Sequence, residues 1–190
     1  MLVSFQVTGV PEADAVLDEH PFAVVVAMLL DQQYGMEHAF RGPWKIKSRL
    51  GSIDPAVIAG TDPDRFVELA TTPPAIHRYG RSMAGRVQDL ARHVVEEYDG
   101  DATRIWGEAT DGADLFARVR ALPGYGDQKT KVFIALLAKR LDVRPEGWEE
   151  AAGDYALDGY RSVADVTSPE TLQKVRDFKK ARKAAAKAAG

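Results

Sequence analysis

The sequence predicts an all-α protein, and three observations carry that prediction. Residues 22–33 form an apolar run that passes into good helix formers. Residues 82–98 repeat apolar side chains at helical spacing through Met83, Val87, Leu90, Ala91, Val94, Val95 and Tyr98. Asp54-Pro55, Asp62-Pro63 and Ser168-Pro169 each set a capping side chain in front of a proline, which is how a helix starts.

With 190 residues, 45% of them apolar, the chain holds one domain or two small interlocked ones. The absence of cysteine excludes disulfides, thiolate zinc sites and a cysteine-ligated iron–sulfur cluster. A net charge of −3 is not the footprint of a general nucleic-acid coat. The charges are unevenly placed, however. Acids gather at 96–101 and 111–114, bases at 118–140 and in the tail, and nucleic-acid binding needs a basic face rather than a basic whole. The apolar run from Phe22 to Leu30 is too short to span a bilayer, and the N-terminus lacks a basic n-region and a cleavage-like site. The expectation is a soluble cytoplasmic protein.

The elements follow in order. A short extended piece opens the chain before a helix over 11–19, ended by His20-Pro21. Residues 22–33 contain three consecutive valines, which would suit a buried strand. The continuation through Ala27 to Gln33, with no strand partner in view, favours a central helix. A helical turn over 36–41 is broken at Gly42-Pro43, and a short helix over 44–50 carries Lys45, Lys47 and Arg49. Short helices over 56–59 and 64–70 lead to a rigid Thr71-Thr72-Pro73-Pro74 connector. Ser82 caps the long helix that ends at Asp99-Gly100-Asp101, and a short helix over 102–108 carries Trp106. After a helix over 114–120 and a glycine turn comes the apolar helix 132–140. A further helix starts at Pro145, and Ser168 caps a last one whose Ala-Lys end lacks an apolar stripe. That end reads as a disordered, solvated tail or as a nonspecific phosphate grip.

The glycine turn is the most informative stretch. In Leu122-Pro123-Gly124-Tyr125-Gly126-Asp127-Gln128-Lys129-Thr130-Lys131, Gly124 and Gly126 permit backbone angles that a side chain would forbid. They also let a bulky anion reach the backbone just before a helix N-terminus, where free N–H groups and the helix dipole favour phosphate. Val119, Leu122 and the small Thr130 stand where two crossing helices would meet. The pattern closely resembles the helix-hairpin-helix of the endonuclease III-like, helix-hairpin-helix/Gly-Pro-Asp superfamily of base-excision-repair DNA glycosylases. The chain looks like a compact, cysteine-free bacterial class of that superfamily.

That resemblance, spanning about residues 21–148, implies a two-lobed DNA glycosylase-like fold. A six-helix barrel over 21–136 would end in the hairpin motif, and residues 1–20 would join 137–190 in a second lobe. It implies a monomer on double-stranded DNA that hydrolyses the N-glycosidic bond of a flipped damaged or mismatched base. On this match Gly124, Tyr125, Gly126, Gln128, Lys129 and Lys131 meet the DNA backbone, and a potassium or sodium ion sits on hairpin carbonyls; no other cofactor is implied. Gln33, or else Gln32, enters the stack beside the flipped nucleotide, although the same pair suits a helix-end cap. Bifunctional relatives carry a lysine two residues after the second glycine. Here that position is Gln128, so the resemblance is to a monofunctional enzyme, with a lyase through Lys129 as the weaker alternative. The carboxylate that stabilises the cation-like sugar corresponds to Glu146, where the family has aspartate, with Asp142 next and then Asp154 or another acid. His77 and Tyr79, with Arg78, Arg81 and Met83, form a polar–aromatic cluster suited to a pocket wall or to an ordinary loop, and Tyr34, Trp44 or Trp148 could stack on a base or pack in the core. A DNA-binding protein without chemistry is the competing expectation.

Overall fold

The computed structural model describes residues 4–190; Met1 to Val3, with the start of the expected extended piece, lie outside the described residues. The chain is all-α, with no strand among the described residues. In order the helices are α1 (Pro11–Glu19), α2 (Pro21–Leu30), α3 (Met36–Leu50), α4 (Pro55–Gly60), α5 (Pro63–Thr71), α6 (Gly80–Tyr98), α7 (Arg104–Gly107), α8 (Gly112–Arg120), α9 (Asp127–Arg140), α10 (Trp148–Ala152) and α11 (Pro169–Ala188). Single 3₁₀ turns occupy Gly153–Ala156 and Val163–Asp165. Among the described residues, no helix is long and apolar enough to cross a membrane.

The core is organised on α2. Every residue of this helix after Pro21 is buried, as expected for a segment apolar all round. It packs on α1, α3 and α6; α6 in turn receives α4 and α5, and α10 lies against both α8 and α9. One continuous apolar cluster runs from Phe5 to Val175. The Asp-Pro starts work as expected. The Asp54 carboxylate accepts from Ala56 N–H at 2.8 Å and the Asp62 carboxylate from Arg65 N–H at 3.0 Å. Ser168 accepts from Thr171 N–H at 3.2 Å at the head of α11.

Five local expectations are corrected by the structure. The helix α3 runs straight through Gly42-Pro43 instead of breaking there. Proline forfeits the bond to the Ala39 carbonyl, but Gly42 lies so close to α2 that a Cβ would come within 2.3 Å of Leu30 Cδ1. That close packing keeps the helix whole. The helix α2 stops at Leu30, so Gln32 and Gln33 lie in a bend beyond it, with Gln33 at φ 53°. The helix α6 starts at Gly80, because His77 engages the Tyr79 N–H, and Ser82 falls inside the first turn instead of capping it. The helix after the hairpin starts at Trp148, not Pro145, behind Gly147 at φ 77°. The basic tail, expected to be disordered, is helical as far as Ala188.

Candidate functional site

The hairpin between α8 and α9 has an inner and an outer side. Gly124 adopts φ 86°, and a Cβ there would stand 2.4 Å from Leu29 Cδ1, so both backbone and packing demand glycine. Tyr125 is 2% exposed and its hydroxyl donates to the Val25 carbonyl at 2.7 Å; burial pushes that hydroxyl well above the usual tyrosine range. Lys129 Nζ donates to the carbonyls of Met28, Leu29 (3.3 Å) and Asp31 (3.0 Å), which closes the C-terminal end of α2. Burial lowers its pKa from 10.5 to about 8. The side chains of Tyr125 and Lys129 are therefore committed to α2, not turned out to a DNA backbone. Thr130 is fully buried in α9, the side of the motif that packs on α8, in keeping with a small residue at a close crossing.

On the outer side, Gly126 precedes α9 at φ −92°, an angle any residue adopts, and a Cβ there would meet nothing within 4 Å. The first-turn N–H groups of Asp127, Gln128 and Lys129 have no intrahelical acceptor. Arg120 pairs with Asp127 at 2.6 Å and donates to the Tyr125 carbonyl at 2.9 Å, offsetting the one acid at this tip. Gln128 donates to the Tyr155 hydroxyl at 3.0 Å, and Lys131 is exposed beside Gly153.

A cavity of about 230 Å³ opens beyond the end of α2, lined by Gln32, Gln33, His77, Tyr79, Ser82, Met83 and Arg86. The hydrogen bonds fix the protonation of His77. Its Nδ1 accepts from Tyr79 N–H at 3.0 Å, so the proton sits on Nε2 and is given to the Gln32 carbonyl at 2.9 Å. Burial lowers the pKa of this imidazole and keeps it neutral. The Gln32–Gln33 bend is held from three directions: by His77, by Arg86 on Gln32 Oε1 at 3.1 Å, and by Arg78 on the Gln33 carbonyl at 3.4 Å. Arg78 also lies 4.7 Å over the Tyr79 ring. Tyr34 backs the wall, its ring 4.6 Å from that of His77.

The structure thus brings Gln32, Gln33, His77 and Tyr79 together, with Tyr34 immediately behind. Trp148 is not among them. It sits half-buried at the start of α10, beside Gly112 at the head of α8. Glu146 is there too: its carbonyl accepts the Gly112 N–H at 2.7 Å, a full helix away from the hairpin, about 13 Å along α8. Asp142 lies past the far end of α9, about 20 Å from the hairpin, paired with Arg144 at 3.3 Å. Neither acid lines the cavity, and no other carboxylate does. Asp154 is different: it is exposed in the turn whose next residue, Tyr155, meets Gln128. Ser82 and Arg86 were missed as cavity residues. They follow Tyr79 at three- and seven-residue spacing, which puts all three on one face of α6.

Comparison of the chain with protein-family models, with curated proteins and with solved structures finds no match. No group of three or more His, Cys, Asp or Glu among the described residues is placed to hold a metal ion. Chemically, the arrangement offers backbone donors for an anion at the hairpin and a separate aromatic and amide-lined cavity with Arg86 in its wall and Arg78 on its Gln33 bend.

Proposed function

We propose that the protein binds duplex DNA, takes an everted base into the Gln32–Tyr79–Arg86 cavity and hydrolyses its N-glycosidic bond, as a monofunctional base-excision-repair glycosylase built on a two-lobed helix-hairpin-helix scaffold. The observation that carries this reading is Gly126. Nothing inside the chain requires glycine there, whereas Gly124 two residues earlier is required twice over. A residue kept bare with open space before it, next to three unsatisfied N–H groups at a helix N-terminus, suits the close approach of a phosphate. The cavity supports the second half of the reading. Tyr79 supplies a stacking surface, with His77 buried behind it, while Gln32, Gln33 and Ser82 can bond the edge of a base.

Lys129 is tied to three carbonyls, which favours water over an amine as the nucleophile. Of the three acids Glu146, Asp142 and Asp154, Asp154 alone lies near the hairpin and is the one assigned to support a cation-like sugar; Glu146 and Asp142 are remote. The protein would act as a cytoplasmic monomer with no cofactor beyond an optional monovalent cation at the hairpin.

A second reading, DNA binding without base removal, is favoured by the lack of any carboxylate lining the cavity. Duplexes carrying uracil, oxidised, alkylated and mismatched bases separate the two, with alkali revealing abasic sites and binding measured on the same duplexes. Cleavage of one lesion, lost in Asp154→Asn and kept in Glu146→Gln and Asp142→Asn, is the expected result. Tight binding with no cleavage on any lesion would favour the second reading, and no binding at all would overturn both.

A further inference from the structure

The last helix runs on well past the point where the protein packs against it. Leu172, Val175 and Phe178 hold α11 down, and from residue 179 onward every side chain is exposed. This exposed part is not featureless. Arg176, Lys180, Lys183 and Lys187 recur at i, i+4, i+7 and i+11, which confines them to an arc of about 60° on one face over about 16 Å of axis. Lys179 flanks them. Only Arg176 is neutralised, by Glu37 in the first turn of α3; no acid among the described residues pairs with Lys179, Lys180, Lys183 or Lys187. Like charges at these spacings repel along a helix, and the alanines between them supply propensity but no packing. A polyanion laid along the face would remove that repulsion.

The position of α11 gives the stripe its occupant. Arg176 touches α3 just beyond the Gln32–Gln33 bend, Arg182 lies 5.9 Å over the ring of Tyr155, and the Tyr155 hydroxyl accepts from Gln128 at the hairpin. The charge of Lys179 also bears on Lys129. The helix therefore touches elements next to both parts of the candidate site, and its cationic stripe begins there, at Arg176.

We propose that the Lys180–Lys183–Lys187 face of α11 is a second contact with the DNA backbone, gripping duplex phosphates beyond the segment held at the hairpin. It rests on the DNA-binding reading above. It adds affinity without sequence or lesion preference, because phosphate contacts position a duplex without reading it.

The test measures binding of an undamaged duplex oligonucleotide to the full chain across a salt series. Each phosphate contact contributes about 0.9 to the slope of log affinity against log salt, so Lys180→Gln/Lys183→Gln/Lys187→Gln should flatten that slope by about 3. A control with the same charge loss elsewhere, Arg65→Gln/Arg92→Gln/Arg104→Gln, should keep the wild-type slope. Thermal melts check that both triples remain folded. An unchanged slope in the lysine triple, with wild type and control still binding, would overturn the proposal and leave the hairpin reading intact. An equal flattening in both triples would overturn it in favour of a net-charge effect. No duplex binding by wild type would overturn the hairpin reading and this proposal together.

Discussion

Gly124 and Gly126 stand two residues apart, yet the inner and outer sides of the hairpin answer to different masters. On the inner side, Gly124, Tyr125 and Lys129 all face α2, and each is explained by what it touches there. On the outer side, a Cβ on Gly126 would meet nothing and the N–H groups beside it are unsatisfied. The inner residues make the motif stand, whereas the folded chain itself does not require glycine at Gly126. A sequence motif can thus be divided into a structural half and a recognition half by asking which residues the protein's own interior demands.

The strongest way to break this comparison is Gly124→Ala. The positive φ and the contact with Leu29 should together cost about 3 kcal/mol, read as a lower denaturation midpoint. A neutral outcome would erase the distinction between the two glycines.

Lys129 sharpens the comparison through pH. Its folded pKa of about 8 lies below the ordinary lysine value of 10.5. Below pH 8 both states carry the charge, and the folded state bears the burial penalty. Between those two pH values the unfolded chain holds more protons, so stability rises with pH and levels off above 10.5. Chemical denaturation across this window should show the rise in wild type and lose it in Lys129→Met.

A smaller inner effect is expected from Tyr125→Phe. It deletes one buried hydrogen bond to Val25 and should cost about 1 kcal/mol in the same denaturation assay. The smallest effect on stability belongs to the outer side. Gly126→Ala should change stability by no more than about 0.5 kcal/mol, since its φ suits any residue. Duplex affinity should nonetheless fall about tenfold in a binding titration. Equal affinity in that variant would remove the main support for a phosphate at this position.

Much of this was legible in the sequence because it is local. The Asp54, Asp62 and Ser168 caps, the apolar run of α2, the α6 periodicity and the glycine turn each depend on residues within a few positions of one another. What was not legible depends on distant partners. Pro43 reads as a break unless the contact between Gly42 and Leu30 is known, and Ser82 reads as a cap unless His77 is seen holding Tyr79. Counting forward from the hairpin puts Glu146 at the expected separation along the chain. The count carries no direction, and the chain reaches Glu146 at the wrong end of α8 before returning to the hairpin at Tyr155. Arg86 was not legible as a cavity residue, because nothing local points it at Gln32.

The bonds from Lys129 to the end of α2 have a geometric consequence. Asp31, one of its three acceptors, is the residue immediately before Gln32 on the cavity wall, and Lys129 lies in the first turn of the helix that Gly126 begins. Hairpin and cavity are thereby riveted to one strut and cannot slide past each other. On the DNA-binding proposal, a strand seated at the hairpin would meet the cavity at one fixed offset along its backbone.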